Sequence, residues 1–87
     1  MMKYRKKPIV IEAIQWHGKN RVEVAKFVKG ETLKYTDALL LPSNYMFIKT
    51  LEGTMRADID DWIIKGVEDE YYPCKPSVFE ATYDPVE

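Results

Sequence analysis

The stretch Asp61-Trp62-Ile63-Ile64-Lys65-Gly66-Val67-Glu68-Asp69-Glu70-Tyr71-Tyr72-Pro73-Cys74-Lys75-Pro76 constrains the fold more than any other part of this chain. Trp62 and Ile64 alternate with Ile63 and Lys65, so an extended ribbon here shows two different faces. Gly66 and the acids Glu68, Asp69 and Glu70 supply a turn, and Tyr71-Tyr72 resume an extended run that Pro73 is expected to end. Pro76 then suits the first turn of a helix, with Phe79 and Tyr83 four residues apart on one of its faces. A hairpin running into a short C-terminal helix demands a sheet for both to pack on.

The start of the chain offers the matching strand. Pro8 lacks an amide hydrogen and can only open a ladder, and Ile9-Val10-Ile11 behind it favour an extended backbone. Ile9, Ile11 and Ala13 fall on one face and Val10, Ile14 and Trp16 on the other, which predicts a central strand. Glu12 interrupts the run and calls for an edge position or a basic partner, because an unpaired buried carboxylate costs several kcal/mol. After His17-Gly18-Lys19, Asn20 with Glu23 reads as a capping box. A helix of about ten residues follows, with Val24, Ala25, Phe27 and Val28 inward, Arg21, Lys26 and Lys29 outward, and Gly30 as its stop. Thr32 to Tyr35 alternates like a short strand, and Ala38 to Leu41 reads as strand or buried turn before the Pro42-Ser43-Asn44 loop. Tyr45 to Leu51 and Thr54 to Ala57, joined by Glu52-Gly53, predict a second hairpin.

These elements give one domain spanning residues 1–87: an α+β fold with a small, mostly antiparallel, strongly bent sheet, one helix in the N-terminal half and a short helix near the C-terminus. A chain of 87 residues, 46% hydrophobic and 31% charged, is long enough for a single core and far from the disordered regime. Cys74 is the one cysteine, so no disulfide forms within the chain, and a reducing, cytoplasmic setting is expected. The basic start lacks the long apolar segment of a signal peptide, and no apolar run approaches the roughly 20 residues of a membrane helix.

Charge divides along the chain. Up to Leu51 ten Lys and Arg stand against four Asp and Glu, and from Glu52 onward three stand against ten. The halves either neutralise one another by packing or leave a polar molecule suited to head-to-tail self-association, so a homodimer is among the readings.

Several residue groups bear on chemistry. Cys74 with His17 is the one thiol-imidazole combination, and no spacing brings the two together, so no catalytic residue is assigned. Asp58, Asp60 and Asp61 offer oxygen ligands without the glycine and terminal Glu of a calcium loop, and they read as turn acids that accept backbone amides; no metal or cofactor is expected. Lys3, Arg5, Lys6 and Lys7 are a basic lead-in, and the acidity elsewhere argues against nucleic acid as the first choice. Trp16, His17, Trp62, Lys65, Tyr71, Tyr72 and Lys75 are the candidate ligand or partner contacts: an aromatic platform with cations at hand. Tyr71 and Tyr72 cannot both point inward from one strand, so one is expected at the surface.

Lys3-Tyr4-Arg5-Lys6-Lys7-Pro8-Ile9-Val10-Ile11-Glu12-Ala13-Ile14-Gln15-Trp16, Thr50-Leu51-Glu52-Gly53, Asp61 to Gly66, Tyr72 to Pro76 and Phe79 to Tyr83 together resemble the PGDYG-motif group of short bacteriophage and prophage proteins. The resemblance covers most of the chain and is weakest between Arg21 and Asn44. The naming motif falls at Ile59-Asp60-Asp61-Trp62-Ile63, where Asp61 matches, Trp62 exchanges one aromatic for another, and Ile59 and Asp60 replace Pro and Gly. Asp tolerates a positive φ better than most residues. The resemblance implies an accessory protein inside a bacterial host and carries no catalytic residue. The expectation is a non-enzymatic binding module that engages a host protein or sequesters a small ligand. The alternatives are a nucleic-acid module using the basic N-terminus and, behind it, a small enzyme built on Cys74 and His17.

Overall fold

A computed structural model describes residues 1–5, 7–28 and 44–86. The expected features at Lys6, at Lys29 and Gly30, at Thr32 to Tyr35, at Ala38 to Leu41 and at Pro42-Ser43 lie outside the described residues. The order of elements is β1 (Glu12–Gln15), α1 (Arg21–Phe27), β2 (Tyr45–Thr50), β3 (Gly53–Asp58), β4 (Trp62–Lys65), β5 (Tyr71–Cys74) and α2 (Pro76–Thr82). This is a small α+β fold with antiparallel pairing throughout the described strands. The bend expected of the sheet is realised as a break, for the strands form a three-stranded sheet β1-β4-β5 and a separate hairpin β2-β3.

β4 is the central strand, and β1 lies at the edge rather than at the centre. Glu12 faces Lys65 in the β1–β4 register, and one residue later the partner strand turns away at Gly66. Ile9 and Val10 therefore have no ladder to join, and they are 49% and 73% exposed. Glu12 is exposed beside Lys65, one of the two solutions its charge required.

The turn after β4 runs as expected. Gly66 N–H donates to the Glu70 carbonyl at 2.8 Å, the Glu70 side chain accepts from Glu68 N–H at 2.9 Å, and Asp69 takes the left-handed conformation at φ 63°. Because Gly66 and Glu70 exchange a ladder bond, alternation makes Ile63–Pro73 a pair that exchanges none. Pro73 consequently sits inside β5 instead of ending it: the hydrogen it lacks would have pointed away from β4. The β2–β3 hairpin closes as predicted, with Thr50 opposite Gly53 at φ 113° and the Thr50 hydroxyl accepting from Glu52 N–H at 3.1 Å.

α1 is shorter than expected, seven residues with Val28 as its C-cap. Asn20 does not cap it through its side chain. The Asn20 side chain turns back instead, accepting from His17 N–H at 3.0 Å and donating to the Gln15 carbonyl at 2.8 Å, which ties the end of β1 to the helix. Arg21 is not on the outer face; it is buried, because residues 21, 24 and 28 form a single stripe of the helix. Its guanidinium lies 5.6 Å from the Trp16 ring centre and donates to the Tyr45 carbonyl at 3.2 Å. Around it, Trp16, Val24, Val28, Met46, Ile48, Ala57, Ile63 and Tyr71 make one core shared by both sheets.

Candidate functional site

Each face of β4 is covered by a different part of the chain. Ile63 points into the shared core and is fully buried. Trp62 and Ile64 lie on the other face, where Ile64 is also buried and Trp62 meets α2. There Phe79 stacks on Trp62 with ring centres 4.2 Å apart and planes 8° from parallel, and Tyr83 lies 5.1 Å from Phe79. Such a near-parallel stack contributes about 0.5–1.5 kcal/mol beyond the area it buries. α2 has no side-chain N-cap and no buried residue, so this aromatic contact is the main thing that holds it down.

Because α2 is short, it leaves part of the face uncovered. A groove of about 700 Å³ runs between the Pro8–Ile11 segment on one side and Tyr83 to Val86 on the other, with Trp62 and Phe79 in its floor. Ile9, Val10, Ile11 and Val86 give it apolar walls. Glu80 and Asp84 also line it, and among the described residues every charged side chain in its lining is acidic. The indole Nε1–H of Trp62 is buried without a hydrogen-bond partner among the described residues, an orphaned donor of the kind that costs about 1–3 kcal/mol. Smaller cavities of about 320 and 150 Å³ lie at the tip of the β2–β3 hairpin and beside Gly66.

The seven candidate contact residues are not brought to one place. Trp16 and Tyr71 belong to the core on the Ile63 side; Tyr71 is 6% exposed, with Phe27 edge-on to it at 5.7 Å. Trp62 and Tyr72 are on the opposite, groove-bearing side. Burial first, and then its side-chain hydrogen bond with Tyr83, push the Tyr72 phenol up to about 12. Neither tyrosine is thus a free surface aromatic. Besides Tyr4 in the N-terminal segment, the aromatics that reach the surface among the described residues are Tyr45 and Phe47, 41% and 37% exposed, edge-to-face at 5.4 Å with Arg56 4.6 Å from the Tyr45 ring. Their alternation with buried Met46 and Ile48 was the signal for them.

The two candidate cations have structural partners. Lys65 pairs with Asp69 at 3.2 Å, and that contact is the main reason its ammonium is held above the usual lysine range. Lys75 reaches Asp61 and Asp58, each at 3.1 Å, and both raise it. Asp61 is almost wholly buried and also accepts Asp58 N–H at 2.9 Å, the amide-satisfying role expected of an acid before the Trp62 strand. Asp58, bonded first to Arg56 and then to Lys75, is held below the ordinary carboxylate value.

His17 is exposed beyond the end of β1, and Cys74 is half-buried on β5. Gln15 faces Trp62 and Trp62 faces Cys74, so the whole width of β4 separates the two strands, roughly 10 Å between backbones. The Cys74 thiol donates to the Lys75 carbonyl at 3.7 Å. Among the described residues no group of His, Cys, Asp and Glu has the arrangement of a metal site. Comparison with family models, with curated proteins and with solved structures gives no match.

Proposed function

We propose that this chain is a non-enzymatic binding module, a bacteriophage or prophage accessory protein of the PGDYG-motif kind, which engages a host protein in the bacterial cytoplasm through the groove over Trp62 and Phe79. One observation carries the reading: an apolar wall, Ile9 and Val10, stands exposed across from the aromatic floor of a cleft large enough for several side chains. A small protein retains such a surface against the pull of burial when something else covers it. The phage resemblance draws support from Asp60, whose φ of 75° is the left-handed geometry that glycine adopts without strain, at the position where the motif carries glycine. No helix among the described residues is long and apolar enough to cross a membrane, which suits this setting.

The test is a pull-down from host lysate with tagged wild type and with Val10→Asp. Val10 is exposed, so the variant keeps its fold by circular dichroism. A specific host protein retained by wild type and lost from Val10→Asp is the expected result. Equal retention by both proteins, or none by either, sinks the proposal.

A further inference from the structure

The chain itself carries a segment whose chemistry matches the groove. The N-terminal arm Met1-Met2-Lys3-Tyr4-Arg5 lies free of the body, with Met2 76% and Tyr4 88% exposed. Extended, it shows Met2 and Tyr4 on one side and Lys3 and Arg5 on the other. That is the complement of the groove, which has an apolar and aromatic floor and whose charges, among the described residues, are the acids Glu80 and Asp84. Turning back into the groove of its own molecule is disfavoured. Pro8 begins the groove wall and holds Lys7 out of the helical region, so the chain leaves the wall extended. The segment from Met1 to Pro8 also contains no Gly, Asn or Asp with which to reverse direction.

We infer that two copies of this chain exchange their N-terminal arms about a two-fold axis. Each arm seats Met2 and Tyr4 over Trp62 and Phe79 of the other copy, and sets Lys3 and Arg5 against its Glu80 and Asp84. An arm of about seven extended residues reaches roughly 23 Å, against extents of 49, 25 and 23 Å for the molecule, so the exchange requires the two copies to meet across a short axis. A stiff connection that favours docking on a neighbour over docking at home is the condition under which reciprocal exchange gives a closed dimer. The inference rests on the groove being a binding surface. It adds that a second copy competes for that surface with any host protein.

The experiment is sedimentation equilibrium of the full chain over a range of concentrations, for wild type, Lys3→Glu/Arg5→Glu, Glu80→Lys/Asp84→Lys, and the four substitutions combined. All four positions lie on the surface, and circular dichroism verifies the fold of each variant. Wild type is expected to dimerise, each reversed pair to weaken the dimer by about tenfold, and the combined variant to recover most of the loss. A monomer at every concentration overturns the inference. A dimer indifferent to the reversals, or reversals that do not compensate one another, also overturns it. The two proposals fail separately. A monomeric chain that still captures a host protein through Val10 leaves the groove reading intact and removes the exchange. A charge-coupled dimer whose host capture ignores Val10→Asp leaves the exchange and removes the host partner.

Discussion

Two neighbouring residues of β4, on opposite faces of the strand, have different fates, although Ile64 beside Trp62 is as buried as Ile63. On one side Ile63 is sealed by Trp16 just after β1, Val24 of α1 with Val28 at its C-cap, and Tyr71 of β5. On the other, Trp62 is half-buried beneath α2, a helix that buries none of its own side chains. The sealed side is where burial free energy accumulates; the open side keeps an aromatic surface within reach of another molecule. A domain of this size has few apolar side chains to distribute, and leaving the Trp62 end of its central strand half-covered costs stability that the closed positions, Ile63 and Ile64 among them, must supply.

The comparison is broken most directly from the sealed side. Ile63→Ala should destabilise the fold by about 3–4 kcal/mol in urea unfolding, since a fully enclosed side chain leaves a cavity that its neighbours cannot fill. A loss under about 1 kcal/mol would mean that this face is no more closed than the other. Asp61→Ala comes next at about 2 kcal/mol, because it removes the buried acceptor of both Asp58 N–H and Lys75. Asp58 in the same cluster has a depressed folded pKa, so its contribution is complete above the ordinary value of 3.8 and is lost as pH falls through the lower folded value. Arg56→Ala should therefore shrink the acid-side decline in thermal stability.

Phe79→Ala, on the open side, should cost about 1–2 kcal/mol, the stack plus a half-buried ring. Trp62 fluorescence should shift to the red as the indole meets water. A change as large as that of Ile63→Ala would erase the distinction between the faces. Tyr72 sharpens it through pH. Its folded phenol, at about 12, holds a proton that the unfolded chain releases near 10.0, so the stability it confers is present below pH 10.0 and is lost as pH climbs toward 12. Tyr72→Phe should flatten that part of the alkaline decline in melting temperature, with the lysines accounting for what remains. The smallest stability effect belongs to Val10→Asp, within about 0.5 kcal/mol of wild type, despite the loss of binding proposed for it.

Much of this division is legible in the sequence. The alternation of Trp62 and Ile64 with Ile63 and Lys65 marked two faces, and the Phe79–Tyr83 spacing put an aromatic pair on the helix that follows. Arg21 escaped because its charge outweighed its position, although its spacing from Val24 and Val28 places it on their stripe. Asn20 escaped for a related reason: a side chain suited to capping found two backbone partners in the preceding turn. The platform drawn from Trp16, Trp62, Tyr71 and Tyr72 failed as a unit because strand alternation sends Trp16 and Tyr71 to one side of the sheet and Trp62 and Tyr72 to the other.

Local patterns, all of them decided within a few residues, set out the two hairpins, the Gly66–Glu70 turn, the proline-led α2 and the residues able to share a face. Pairing order belonged to tertiary structure, because an apolar run such as Ile9-Val10-Ile11 suits an edge and a centre equally well. Its place is settled by where the partner strand ends, at Gly66, a contact more than fifty positions away along the chain. That long-range register left Ile9 and Val10 without a ladder and turned part of an expected core strand into the wall of a groove.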